Sequence, residues 1–261
     1  MIKVSRAPDN NAIAILTINR PAQKNAINDA VINGLSAAVA EIRNDVSVRT
    51  VILTGEGGFF SAGADLSLFD EIGDVTDVNI VARSLEGGGR LCSEIEKLPQ
   101  PTIAAIEGGA VGGGLAMAIS CDWRVMASNA FAYVPEARLG LNYGWNTLPR
   151  LNRLIGPARA KTLSILCRRH GADECLTWGL ADQTAAPGKA LEGALALAEE
   201  VCALPRLAVQ MIKKSINGHA TALAENASFS DMDMMLVCMT DPEGNQAREA
   251  LKAARVAGRK G

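Results

Sequence analysis

Thr102-Ile103-Ala104-Ala105-Ile106-Glu107-Gly108-Gly109-Ala110-Val111-Gly112-Gly113-Gly114-Leu115-Ala116-Met117-Ala118-Ile119-Ser120-Cys121 is the most apolar stretch of the chain, and its reading decides the fold. It approaches the length that spans a bilayer, but Glu107 and a cluster of glycines interrupt it. It therefore reads as a buried strand at 102–106, a glycine turn, and a buried helix beginning at 115–120. The same order recurs around it. The apolar run 12–18 is a strand stopped by Asn19-Arg20-Pro21. A helix follows, capped by Asn28, with Val31, Leu35, Ala38, Val39 and Ile42 at helical spacing. Residues 50–54 and 123–127 read as further buried strands. Strand-helix alternation of this kind predicts an α/β fold with a largely parallel sheet.

After Pro157 the strand signal disappears. Helices are expected at 158–167, 190–204, 207–218, 223–239 and 242–256. The chain thus divides into an α/β core at 1–195 and a helical C-terminal region at 196–261. The methionines Met232, Met234, Met235 and Met239 belong to a core-facing or subunit-facing helix, where thioether side chains fill irregular gaps.

Composition narrows the function. The 261 residues are 48% apolar, 21% charged and 4% aromatic, the make-up of a globular protein with enough apolar sequence for a large core. Its 26 basic and 28 acidic residues give a charge of −2, so nucleic acid is not an expected partner. Six scattered cysteines without a C-x-x-C pair, and two histidines, give no expected metal site. Met1-Ile2-Lys3-Val4 leads into polar residues without the apolar core of a secretory signal, so a cytoplasmic protein is expected, with no membrane partner.

Two glycine-rich turns follow strand signals: 57–66, which includes Ser61-Ala62-Gly63-Ala64-Asp65-Leu66, and 107–115. Glycine lets backbone amides approach a ligand, and amides at a helix start are unpaired, so each turn can offer N–H donors to an anion or polarised carbonyl. Tight strand-helix packing is the competing reading of either turn alone. A dinucleotide turn is set aside, because neither Tyr133 nor Tyr143 has a lysine four residues on. With no G-x-S-x-G, a serine hydrolase is unsupported.

Taken in order, Leu16-Thr17-Ile18-Asn19-Arg20-Pro21, Asn25-Ala26, Phe60-Ser61-Ala62-Gly63-Ala64-Asp65-Leu66, Gly108-x-Ala110-x-Gly112-Gly113-Gly114, Pro135-Glu136-Ala137-x-Leu139-Gly140-Leu141, Trp178-Gly179-Leu180-Ala181-Asp182 and Asp241-x-Glu243-Gly244 resemble the crotonase superfamily, the enoyl-CoA hydratase/isomerase family. The resemblance implies stacked ββα units forming twisted sheets, with the C-terminal helices packing a homotrimer or a dimer of trimers. It implies an acyl-CoA thioester substrate, with CoA part of the substrate and no separate cofactor. The backbone N–H groups of Ala64 and Gly113 would form an oxyanion hole, each donor contributing roughly 3 kcal/mol to an enolate-like transition state. Lys24, Ala26 and Ala62 match positions that hold CoA through the backbone. Leu66 and Gly112 belong to the same motifs, and Asp65 caps the helix after the first turn.

Acid and base depart from the family pattern. Of the two glutamates the hydratases use, the first position here is Ala116 and the second is Glu136. One carboxylate suffices to carry a proton from the α to the γ carbon of an enoyl thioester, whereas adding water with one group is harder. Double-bond isomerisation is therefore the expected reaction. Hydration of an unusual acyl group is the alternative, and a non-catalytic acyl-CoA-binding subunit the third reading. Glu136 could instead be a surface carboxylate beside a strand. The loop Tyr143-Gly144-Trp145-Asn146-Thr147 also departs from the pattern. Tyr143 or Asn146 can hydrogen-bond an acyl group or water beside Gly144, and Trp145 can wall the acyl pocket. Lys213, Lys214, Arg248, Lys252, Arg255, Arg259 and Lys260 are candidates for CoA phosphates or a solvated helix face.

Overall fold

The computed structural model describes residues 1–65, 78–222 and 230–258. Strands β1 (Ile2–Arg6), β2 (Ile13–Ile18), β3 (Thr50–Gly55), β4 (Thr102–Ile106), β6 (Trp123–Ala127) and β9 (Gln183–Ala185) lie side by side in that order. A smaller sheet holds β5 (Gly109–Val111), β7 (Phe131–Tyr133) and β8 (His170–Gly171). From β2 to β9 the main sheet is parallel, and only β1 runs antiparallel at its edge. The helices are α1 (Asp29–Asn44), α2 (Val78–Glu96), α3 (Gly113–Ala118), α4 (Thr147–Leu166), α5 (Ala172–Trp178), α6 (Ala190–Ala203), α7 (Arg206–Ala220), α8 (Asp231–Thr240) and α9 (Pro242–Gly258). Among the described residues no helix is long and apolar enough to cross a membrane.

Strands β2, β3 and β4 are buried at nearly every position, with helices packed against them. That is why they read as continuous apolar runs rather than alternating ones. Helix α6 lies on β3, β4 and β6 through Ala190, Ala194 and Ala198, whose small side chains let it settle close to the sheet. Its start is capped from the loop after β4, at the same end of the main sheet: Glu107 accepts from Ala190 N at 2.7 Å and Gly188 N at 3.1 Å. At α1 the Asn28 side chain accepts from Val31 N at 3.1 Å, and the expected apolar positions are buried.

The structure adds elements that periodicity does not reveal. β1 is an edge strand with only its ends half-buried, and so lacks the apolar signature that marks the other strands of the main sheet. β8 and β9 stand where no strand was expected, each too short to carry a pattern. Helix α4 begins at Thr147 and passes a kink at Gly156-Pro157, the point where a helix start was expected. Helix α6 runs across the expected division at 195/196 and packs on the sheet. The expected helix 223–239 is described from Asp231 on.

One buried ion pair ties the C-terminal helices to the sheet. Lys213, 9% exposed, reaches from α7 to Asp122 Oδ2 at 2.6 Å and donates to Gln100 O at 3.0 Å. The same Asp122 oxygen accepts from Thr102 N at 2.7 Å and Thr102 Oγ1 at 3.0 Å, just where β4 begins. Lys213 is therefore a structural residue, and the expectation that it meets a phosphate or faces solvent is corrected. Removing one partner of such a pair strands the other charge, so Lys213→Ala should lose about 3 kcal/mol in urea unfolding. Exposed Lys214→Ala should stay within about 0.5 kcal/mol of the parent.

Candidate active site

Three chain segments meet at one end of the main sheet. After β2 the chain makes a short turn at Pro21–Gln23, and Lys24 and Asn25 follow in the left-handed region at φ +48° and +56°. The fully buried Asn25 side chain fixes this turn. It accepts from Arg20 N at 2.9 Å and donates to Glu56 O at 2.8 Å and Phe59 O at 2.5 Å, joining the loops after β2 and β3. Ala62 N then donates to Lys24 O, Ile27 N to Gly63 O and Asp65 N to Ile27 O, at 2.7–2.8 Å. On the opposite side Ser61 N donates to Gly109 O and Val111 N to Ser61 O, both at 3.0 Å. Segment 61–65 is thus laced between 24–27 and 109–111.

This lacing orients the two backbone donors. Gly63 O and Asp65 N face Ile27, so by strand alternation the Ala64 N–H faces away from it. Gly113 opens α3, where a first-turn N–H has no partner within the helix. Among the described residues nothing accepts a hydrogen bond from either N–H. Gly63, at φ +85°, allows the approach: a Cβ there would sit 2.6 Å from Val111 O and 3.3 Å from Gly113 N.

Both donors line a cavity of about 860 Å³, together with Lys24, Ala26, Ala62, Asp65, Gly112, Glu136, Tyr143 and Gly144. The two glycine turns therefore converge, and every described member of the expected site lines this one space; Leu66 lies outside the described residues. Asp65 does not stand free. Its carboxylate pairs with Arg20 at 3.0 Å, so it anchors the turn to the loop after β2. Its expected role as a helix cap falls on residues outside those described.

Glu136 begins a single turn of 3-10 helix, Glu136–Leu139, ended by left-handed Gly140. Arg248 of α9 holds that turn from behind, donating to Leu139 O at 2.8 Å and Gly140 O at 3.3 Å. Arg248 is thus occupied by the protein and not by a phosphate. The side chains of Lys252 and Arg255, and residues Arg259 and Lys260, lie outside the described part.

The Glu136 carboxyl points inward. A Cβ on Gly112 would lie 2.6 Å from Glu136 Oε1, and Oε2 is buried without a hydrogen-bond partner. Burial pushes its pKa up to about 8, opposed only by its own backbone N–H. The surface-carboxylate reading is overturned. Ala116, at the family's other glutamate position, is fully buried in α3 and is not part of the cavity wall.

The departing loop is tightly held. Tyr143 Oη donates to Gly112 O at 2.8 Å, and Arg150 donates to Trp145 O at 2.9 Å and Asn146 O at 3.1 Å. Asn146 N donates to Asp231 at 3.0 Å. Tyr143 therefore spends its hydroxyl proton on the protein rather than on an acyl group as expected, and Asn146 is not among the residues that line the cavity. Trp145, left-handed at φ +61°, lays its indole where side chains on Gly88 and Gly113 would be: Cβ atoms there would come within 1.9 and 2.4 Å of the ring. Met235, Ala247 and Leu251 of α8 and α9 also line the cavity. The methionine-rich stretch pointed to an apolar contact, but nothing in the sequence assigned it to this cavity.

The parallel sheet thus carries two unpaired amide N–H groups and one buried acid on a shared cavity, the arrangement that the resemblance to the crotonase superfamily implies. A model of the enoyl-CoA hydratase/isomerase family matches residues 8–253. The chain is 36% identical over 208 residues to a short-chain-enoyl-CoA hydratase of Clostridium acetobutylicum, covering 78% of this chain and 77% of the relative. To a crotonyl-CoA hydratase of Syntrophomonas wolfei it is 31% identical over 246 residues, covering 94% and 93%. A solved enoyl-CoA hydratase from Bacillus anthracis superposes with a TM-score of 0.78 at 31% identity, over 88% of this chain and 90% of that one. The chain belongs to the enoyl-CoA hydratase/isomerase family and is an enzyme of that type, which displaces the reading as a non-catalytic subunit.

The raised Glu136 pKa links to stability. Between the ordinary carboxyl value of 4.5 and about 8 the folded protein keeps a proton that the unfolded chain releases, so stability falls as pH rises through that window. Glu136→Gln removes this penalty. Its melting temperature should exceed the parent's by about 3–6 °C at pH 8, with the gap closing toward pH 5.

Proposed function

We propose that the protein is an enoyl-CoA isomerase that moves a double bond from the 3 to the 2 position of an acyl-CoA thioester. The Ala64 and Gly113 N–H groups hold the thioester oxygen. Ionised Glu136 takes a proton from the α carbon, and the electron pair spreads through a dienolate onto that oxygen. The acid so formed returns the proton to the γ carbon, the double bond settles into conjugation, and Glu136 is a carboxylate again. No atom is gained or lost. The observation that carries this reading is the solitary acid: of the described cavity carboxyls, Asp65 is bound to Arg20 and Glu136 has no basic partner.

A pKa near the working pH suits a group that must accept and donate in one turnover. The dry setting that raises it also strengthens the two amide donors. Hydration is the second reading, favoured by the names of the two hydratase relatives; it requires Glu136 both to activate water and to supply the α proton.

Mass spectrometry of 3-enoyl-CoA and 2-enoyl-CoA thioesters incubated in deuterated water separates the two. Bond migration with deuterium uptake and no added water supports the isomerase, and added water as the main product overturns it. Glu136→Gln should lower kcat by about 10²–10⁴-fold while the thioester still binds. For the parent, kcat/KM should climb about tenfold per pH unit below 8 and level off above it, since only ionised Glu136 can take the proton. A flat profile from pH 6 to 9 would exclude Glu136 as the base.

A further inference from the structure

The peptide between Gly112 and Gly113 carries a carbonyl at one end and a cavity donor at the other. Gly112 sits at φ +49° and ψ −121°, a conformation that glycine reaches and side-chain-bearing residues avoid. Its ψ angle sets which way the Gly113 N–H points. Two groups grip the carbonyl end: Ala116 N, at 3.0 Å, is the ordinary first bond of α3, and Tyr143 Oη, at 2.8 Å, is not. Tyr143 comes from a loop 31 residues away, is 5% exposed, and belongs to the segment that Arg150 clamps through two carbonyls. The indole of Trp145, two residues on, covers the Gly113 Cα. Tyr143 has one hydroxyl proton, and it goes to Gly112 O rather than to the nearby Glu136 carboxyl.

We propose that Tyr143 is a positioning residue for the thioester oxygen: through its bond to Gly112 O it orients and polarises the peptide unit whose far end is the Gly113 N–H. This rests on the reading of Gly113 N–H as a donor to that oxygen. Accepting a hydrogen bond at C=O shifts electron density along the amide and makes its N–H a better donor, so the phenol acts on the substrate without touching it. Burial and the neighbouring Glu136 hold the Tyr143 pKa well above the usual tyrosine value, which keeps the donor protonated across the working range.

The test is the carbonyl stretch of a saturated acyl-CoA labelled with carbon-13 at the thioester carbon, followed by infrared difference spectroscopy. On binding the parent enzyme the band should move to lower wavenumber, and on Tyr143→Phe the displacement should be clearly smaller. The same variant should lower kcat about tenfold, the worth of one neutral hydrogen bond, while the probe's Kd stays within about threefold. An equal displacement in parent and variant overturns the role of Tyr143, whatever happens to kcat. A variant that raises Kd and leaves kcat alone overturns it too. No displacement in the parent instead overturns the reading of Gly113 as a donor, so the two failures are distinct. If Tyr143→Phe does not fold, ring-fluorinated tyrosine in a Tyr133→Phe background keeps the shape and strengthens the phenol as a donor. The band must then move further than in unfluorinated Tyr133→Phe, and an unchanged band overturns the proposal.

Discussion

The cavity depends on an approach so close that one methyl group would prevent it. Segment 61–65 lies against 109–113 with only the hydrogen of Gly63 facing Val111 O, and this contact places two amide donors on one wall. The lacing on either side transmits the constraint. Asn25 ties 61–65 to the loop after β2, and the bonds to Gly109 and Val111 tie it to the second sheet. Each loop follows a parallel strand, so all arrive at the same end of the main sheet by topology. The site is a consequence of parallel strand order combined with one missing side chain.

Glu136 shows what the chain forgoes for its site. An unpaired carboxyl in a water-poor pocket costs stability at neutral pH, and an arginine beside it would relieve that cost. Such an arginine would also hold the carboxylate ionised and weaken it as a base. The chain has arginines to hand, but they serve other ends. Arg20 pairs with Asp65, Arg150 pairs with Glu96 while holding the Trp145 loop, and Arg248 steadies the turn below Glu136 through backbone carbonyls. Positive charge thus fixes the frame around the acid and stays off the acid itself.

Much of the core was legible because β2, β3, β4 and β6 are buried on both faces and so read as unbroken apolar runs, and because Asn28 is an N-cap of recognisable type. The residues of the candidate site were legible through ordered motifs, since glycine turns after strands leave a mark on the chain. What was not legible depends on partners distant in sequence. The spacing of α7 does not reveal that Lys213 meets Asp122, 91 positions earlier. β1, β8 and β9 are too short or too exposed to show a period. Tyr143 reads as a donor with a free hydroxyl until the fold sets Gly112 O before it.

The C-terminal helices carry the last constraint. The resemblance assigns them to contacts between subunits, yet Met235 of α8 and Ala247 and Leu251 of α9 line the cavity within the same chain. Gly140 and Gly244 meet so closely that a Cβ on Gly140 would lie 2.2 Å from Gly244 Cα, and Arg248 completes the joint. The turn bearing Glu136 is therefore backed by α9. Burial is what raises the acid's pKa, so the helices that shut out water from this end help set the protonation state of a group on a different element. The expected division into a core and an appendage follows the order of the chain, whereas the cavity wall spans it: the Ala64 and Gly113 N–H groups come from the first half, the Glu136 carboxyl from the middle, and part of the apolar lining from the end.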